Sequence, residues 1–434
     1  MSNELIIAIT FLLLLGLILI KCPIFISLGL AGFIGIYLCA GVTGLMQAPF
    51  SIMQQLHNFV LVAVPLYILM GEVLFITGIG EELFEVANKW FGNIPGGLAM
   101  ASIFAAAIFG AMSGISIAGV AVIGVMAVPE MLKRKYNKSL AAGAVASSGA
   151  LAMLIPPSLL FILYAAVSEV PVNKLFIGGI VPGLFLVIAM MSYVYVSVIR
   201  NPDLAPRMKE KVAWKERFFV LKRLWTALLL ILAVLGTIYT GVCTATEAAA
   251  VGALGSFLIA IFIYKTLRWR SLRQILAATS RTTAAVLLIA ACAFIFSQFI
   301  VYTRVPDLVA HFCLSLQWSP VWIVILIMVI FIIVGMFVDG GTLILVTTPI
   351  ILPTIIALGY DPLWYGIVIV LKTEMAVIMP PIGLNLYTLK SIVPDLNMSE
   401  IMRGVLPYIA LEFIVLLIFI FIPQLALWLP GQMK

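Results

Sequence analysis

The sequence predicts an all-α polytopic membrane protein, an inverted repeat with two re-entrant helical hairpins and two proline-broken helices. Three observations carry that prediction. The 434-residue chain is 64% hydrophobic and 10% charged, against roughly 45–50% apolar and about 25% charged in a soluble domain. It also repeats itself: Pro129, Tyr136, Pro156 and Pro157 map onto Pro353, Tyr360, Pro380 and Pro381 with one shift of 224 residues, and past the paired prolines a shift of 225 takes Gly179 to Gly404 and Pro182 to Pro407. Finally, most of the 25 Lys and Arg lie in short linkers. Those linkers share one membrane face only if two apolar stretches enter and return on the same side.

About 20 apolar residues cross a bilayer core. In the first repeat, 1–199, segments 5–20, 24–42 and 58–78 suit spans. The first of them lacks the basic start and small-residue cleavage site of a secretion signal. Segment 81–91 is amphipathic and suits an interfacial helix. Segment 98–129, dense in Gly, Ala and Ser, reads as a hairpin. Segment 138–166 is interrupted at Pro156-Pro157, and 173–199 is a further span. A basic cytoplasmic linker, 200–223, follows. The second repeat, 224–434, has spans 224–242, 246–264 and 275–301, a short helix near 304–316, a hairpin at 320–353, an interrupted helix at 362–389 and a last span at 405–428.

Charge assigns the sides. The Lys133–Lys138 cluster and the 200–223 linker are both cytoplasmic only if 98–129 turns back. The equivalent of the basic stretch Met131–Tyr136 is Ile355–Tyr360, which carries no charge. The two halves are therefore expected to have opposite orientations. A single break would read as an ordinary proline-kinked helix in a generic bundle, since proline is common in membrane helices. Two Pro-Pro breaks at equivalent places, each preceded by a hairpin, mark a secondary transporter and point to its binding site.

Other classes lack their signatures. Cys22, Cys39, Cys243, Cys292 and Cys313 are scattered with no metal spacing, and His57 and His311 have no acidic or thiol grouping around them. No cofactor and no enzyme activity are expected. The net charge of +7 belongs to linkers that orient a membrane protein and does not indicate nucleic-acid binding.

A proline removes an amide and frees backbone carbonyls, which hydrocarbon tolerates only where they line a cavity or meet an ion. Sodium, a hard cation, favours such oxygens. Before the breaks lie Ser147-Ser148-Gly149 and Thr373-Glu374-Met375. The hairpin tips, Gly110–Ser116 and Gly335–Thr342, supply the other side. Small residues there also serve close helix packing. The helix starts after the breaks, at Ser158 and at Gly383-Leu384-Asn385, direct partial positive charge inward, which suits an anion. Carboxylates inside a membrane suggest function, which singles out Glu374 and Asp339. Glu247 fits a capping box with Thr244. Glu72 suits packing or function equally, and Arg281 is expected to snorkel.

These residues resemble the large membrane subunit (DctM/SiaM type) of tripartite ATP-independent periplasmic (TRAP) transporters. The matching stretches are Ile155-Pro-Pro-Ser158 with Tyr164, Gly179-Ile-Val-Pro182, Thr246-Glu247, Pro349-Ile-Ile-Leu-Pro353 with Gly359-Tyr-Asp-Pro362, and Pro380-Pro-Ile-Gly383-Leu-Asn385. The resemblance implies a sodium-driven importer in the bacterial inner membrane, with Na⁺ as coupling ion and an elevator mechanism. Its implied partners are a small four-span membrane subunit (DctQ-like) and a periplasmic substrate-binding protein (DctP-like). The implied substrate is a small organic acid such as a C4-dicarboxylate or sialic acid. It places one cation site at Gly110, Ser113, Ser116, Ser148 and Pro156, and a second at Gly335, Asp339, Thr342, Thr373, Glu374 and Pro380. Substrate-binding candidates are Ser113, Ser116, Ser158, Asp339 and Asn385. The chain departs from the family pattern at Ala152, Ala376, Met379 and above all Lys372, which stands where asparagine is usual. A fixed positive charge repels a bound cation; Lys372 is expected either to pair with a substrate carboxylate or to face water. A stand-alone sodium–anion symporter of the same architecture is the alternative. An intramembrane enzyme and a passive channel are the other classes considered.

Overall fold

A computed structural model describes residues 2–206 and 213–433. The chain is helical, with no strand among the described residues. Nine helices in that set are long and apolar enough to cross a membrane. The part of the predicted linker at 207–212 lies outside the described residues.

Local chemistry sets the element boundaries, and several differ from the sequence expectation. The second helix does not stop at 42 but runs Ile24–Leu56, because Gly41 (φ 61°) kinks the chain without ending the helix. The helix Trp269–Tyr302 starts six residues before the predicted 275. These two long helices pack together. A Cβ on Gly32 would lie 2.8 Å from the Phe296 nitrogen, and one on Gly35 2.5 Å from the Phe299 ring, so only glycine permits this approach. The last long helix begins at Met398, not 405. Asn397 and Glu400 form a reciprocal capping box there, and the helix ends at Phe421. Thr244 and Glu247 form the expected box at the start of Ala245–Leu258.

The amphipathic segment forms Ile79–Phe91, with Leu83, Phe84, Val86 and Ala87 buried. Its polar face is tied to the linker: Lys89 lies 2.9 Å from Glu216, Arg223 pairs with Glu85, and Trp90 donates to the Arg217 carbonyl at 3.2 Å.

Two hairpins and two broken helices form the centre. The first hairpin consists of Gly97–Ser113 and Ser116–Lys133, turning at Gly114 (φ 63°). A left-handed backbone favours glycine there. The second consists of Pro320–Gly335 and Gly340–Ala357. The first broken helix is Lys138–Ala150, a 3₁₀ turn at Leu151–Met153, then Leu159–Ser168 after the proline pair. Asn137 caps its start by accepting from Ser139 and Leu140. The second is Pro362–Ala376, then Leu384–Ile392, with Asp361 accepting from Leu363 at 2.7 Å. Both Pro-Pro bonds are cis.

The end of the first broken helix meets the start of the second. Tyr164, near the end of the first, donates its hydroxyl to the Pro362 carbonyl at the start of the second, at 2.6 Å. The last long helix runs beside the first broken helix, where a Cβ on Gly143 would come within 2.1 Å of the Gly404 oxygen. Lys138 lies 3.7 Å from Glu400, so these two helices start at the same end of the molecule.

Candidate ion and substrate site

Each hairpin tip is seated on the break of its own half. In the first half, a Cβ on Gly110 would lie 2.8 Å from the Ala152 Cα, and one on Gly114 2.6 Å from the Pro157 oxygen. Ser113, Ser116, Ser147 and Ser148 are all buried. The hydroxyls of Ser113 and Ser147 have no hydrogen-bond partner among the described residues. A buried hydroxyl left unpaired costs about 1–3 kcal/mol, so each of these oxygens is open to a ligand. Ser148 donates to the Val145 carbonyl at 3.2 Å. This uncharged, oxygen-only set fits a monovalent hard cation.

Ser116 and Asn385, expected as substrate ligands, are bonded to the protein in this structure. Ser116 donates to Asn385 Oδ1 at 2.8 Å, and Asn385 Nδ2 donates to the Ala146 carbonyl at 3.0 Å. Both are buried. They bind each other and join the two halves. Ser158 is also engaged, donating to the Met153 carbonyl.

In the second half, a Cβ on Gly335 would lie 3.0 Å from Ala376 Cβ and 2.8 Å from Lys372 Nζ. One on Gly340 would lie 2.2 Å from the Thr373 side chain. Asp339 caps Gly340–Ala357: its carboxylate accepts from Thr342 N at 3.0 Å and from Thr342 Oγ1 at 2.6 Å. Thr373 donates to the Ile369 carbonyl.

Glu374 does not join this group. Residues two apart on a helix face opposite ways, so with Lys372 turned to the hairpin, Glu374 turns from it. Its electrostatic neighbour is Glu412, on Met398–Phe421. Both acids are 0% exposed, and none of their four oxygens has a partner among the described residues. Sequence reasoning passed over Glu412; the available signal was a lone carboxylate in an apolar span. Lys372 is also 0% exposed, which removes the expectation that it faces water.

Two cavities of about 170 Å³ each flank the second tip. They share Asp339, Gly340, Val377 and Leu384. One extends to Gly335 and Ala376, the other to Leu159 and Leu163 of the first broken helix. Each is smaller than an ordinary ligand pocket of about 300–1,000 Å³, and the helix starts at Leu159 and Leu384 border them.

A helical multi-pass protein whose hairpin tips meet broken helices around small polar-edged cavities is a membrane transporter by architecture. Its fold is similar to that of the YdaH transporter of Alcanivorax borkumensis, with a TM-score of 0.62, 12% identity, and 91% of this chain and 90% of that chain covered. Residues 11–425 match the family described as tripartite ATP-independent periplasmic transporter, DctM component. The sequence is 32% identical to the C4-dicarboxylate TRAP transporter large permease protein DctM of Vibrio cholerae, over 98% of this chain and 97% of that one. It is 34% identical to the DctM of Pseudomonas aeruginosa, covering 93% and 94%. The chain belongs to the DctM family of TRAP transporter large permeases. Substrates named for other matching relatives vary: sialic acid in Vibrio cholerae, isethionate in Oleidesulfovibrio alaskensis and ectoine in Halomonas elongata.

Proposed function

We propose that this permease imports a small organic acid down a sodium gradient, receiving it from a periplasmic substrate-binding protein and working beside a small four-span subunit in the inner membrane. The observation that carries the reading is the first half, where the hairpin tip and the broken helix hold buried hydroxyls, Ser113 and Ser147, without partners among the described residues. An oxygen-only site of this kind suits sodium, and the two helix starts beside the cavities suit a carboxylate. Relatives named for dicarboxylates and sialic acid support an acidic substrate. The isethionate relative is named DctMQ, which supports a small-subunit partner. The proposal includes an inverted relation between 1–199 and 224–434, and an elevator movement of the hairpins and broken helices against the remaining spans.

The test is uptake of labelled organic acids into proteoliposomes holding this chain and its small subunit, with and without the binding protein, under an inward sodium gradient. Uptake that requires both sodium and the binding protein is expected. Sodium-driven uptake without the binding protein would instead establish a stand-alone symporter, and uptake indifferent to sodium would end the coupling proposal.

A further inference from the structure

The internal repeat allows the two junctions to be compared residue by residue. The 224-residue shift takes Ser148 to Lys372 and Ala152 to Ala376, and Gly110 and Gly335 fill matching places by their contacts. The backbone approach is matched too: Gly110 sits against Ala152, and Gly335 against Ala376. The contents of the two junctions differ. The first holds small hydroxyls and no charged side chain. The second holds an amino group, Lys372 Nζ, so close to Gly335 that an added Cβ would be 2.8 Å away.

That amino group is in an unusual position. Lys372 is 0% exposed, and Nζ has no hydrogen-bond partner among the described residues. It lies 5.9 Å from the centroid of the Phe331 ring, on its face. Phe331 and Gly335 close the helix Pro320–Gly335, and a helix C-terminus carries partial negative charge. An aromatic face and a helix C-terminus are both environments that attract a cation. Once Lys372 is protonated, a metal cation placed about 4 Å away would bind about a thousandfold more weakly than beside a neutral side chain.

We propose that Lys372 is protonated in the second junction and is its resident cation, supplying in covalent form the charge that the first junction takes from solution. The permease then binds one sodium ion, at the first junction, and none at Gly335–Thr342. The inference rests on the sodium-coupled reading above, and it corrects the expectation of a second sodium site at Gly335, Asp339, Thr342, Thr373, Glu374 and Pro380.

Equilibrium binding of radiolabelled sodium to the purified full-length chain in lipid nanodiscs tests it, with potassium as the balancing ion. Wild type is expected to bind one ion per chain. Lys372→Ser, which restores the residue of the first junction, is expected to bind two. Lys372→Met keeps the side-chain volume, removes the charge and serves if the serine variant does not fold. Ser113→Ala should weaken the single wild-type site at least tenfold. Two ions bound by wild type, or one ion bound by wild type and by both folded Lys372 variants, would overturn the tethered cation while leaving sodium coupling intact. No sodium bound by wild type would instead overturn sodium coupling, and this inference with it.

Discussion

Asn385 holds Ser116 at 2.8 Å and, through its other amide atom, the Ala146 carbonyl at 3.0 Å. One side chain thus ties the second broken helix to both the hairpin and the broken helix of the first half. Asn385→Ala removes both bonds and leaves a buried hydroxyl and carbonyl short of partners. A stability loss of about 1–3 kcal/mol is expected, read as a lower melting temperature in detergent. Ser116→Ala removes one bond and should cost less. Equal melting of all three proteins would show that the brace contributes nothing.

Asp339 gives a way to separate capping from transport. Its carboxylate caps Gly340–Ala357 through Thr342. Asn is as good a cap as Asp, whereas Ala costs about 0.5–2 kcal/mol. Asp339→Asn should therefore melt like wild type and Asp339→Ala earlier. If the charge also serves the cavities that Asp339 lines, uptake by Asp339→Asn will need more sodium or more substrate. Wild-type uptake by this variant would confine Asp339 to capping.

Glu374 and Glu412 are two fully buried acids on neighbouring helices, with no donor for either among the described residues. A buried polar group without a hydrogen bond destabilises the fold. Glu412→Gln keeps the shape and removes one member, so the fold should be as stable as wild type or more so. Glu412→Ala leaves a cavity and should melt earlier. A marked loss of stability in Glu412→Gln would show that the carboxylate is held by something the present contacts do not supply.

Gly143 and Gly404 bring two helices to backbone contact, since a Cβ on either would lie 2.1 Å from a carbonyl oxygen of the other helix. Gly404→Ala should force the helices apart and cost about 1–3 kcal/mol. Gly236→Ala, where an added Cβ meets nothing within 4 Å, is the control and should melt like wild type. Similar melting of the two variants would mean that the helices separate freely.

The breaks, caps and hairpins were legible in the sequence because proline, glycine and capping residues act within a few positions of themselves. Glu247 with Thr244 and the turn at Gly114 are of this kind. Side-chain direction was not legible. Whether Lys372 or Glu374 meets the hairpin depends on the rotation of Pro362–Ala376 against Pro320–Gly335, which no local pattern reports. The bonds of Asn385 were not legible because its partners lie 269 and 239 residues away. The repeat also hides divergence: Tyr136 accepts a hydrogen bond from the Leu98 amide, while its equivalent Tyr360 stacks on Trp364 at 4.3 Å.

The paired long helices have a mechanical consequence. At about 1.5 Å per residue, the 34 residues of Trp269–Tyr302 extend about 51 Å, against a hydrocarbon thickness of about 30 Å. Such a rod must lean or project beyond the lipid, and its glycine-seated contact with Ile24–Leu56 makes the pair lean together. Acyl-chain length in the surrounding lipid therefore acts on the angle of this strut, so lipids of different length should change transport rate without any change in sodium or substrate.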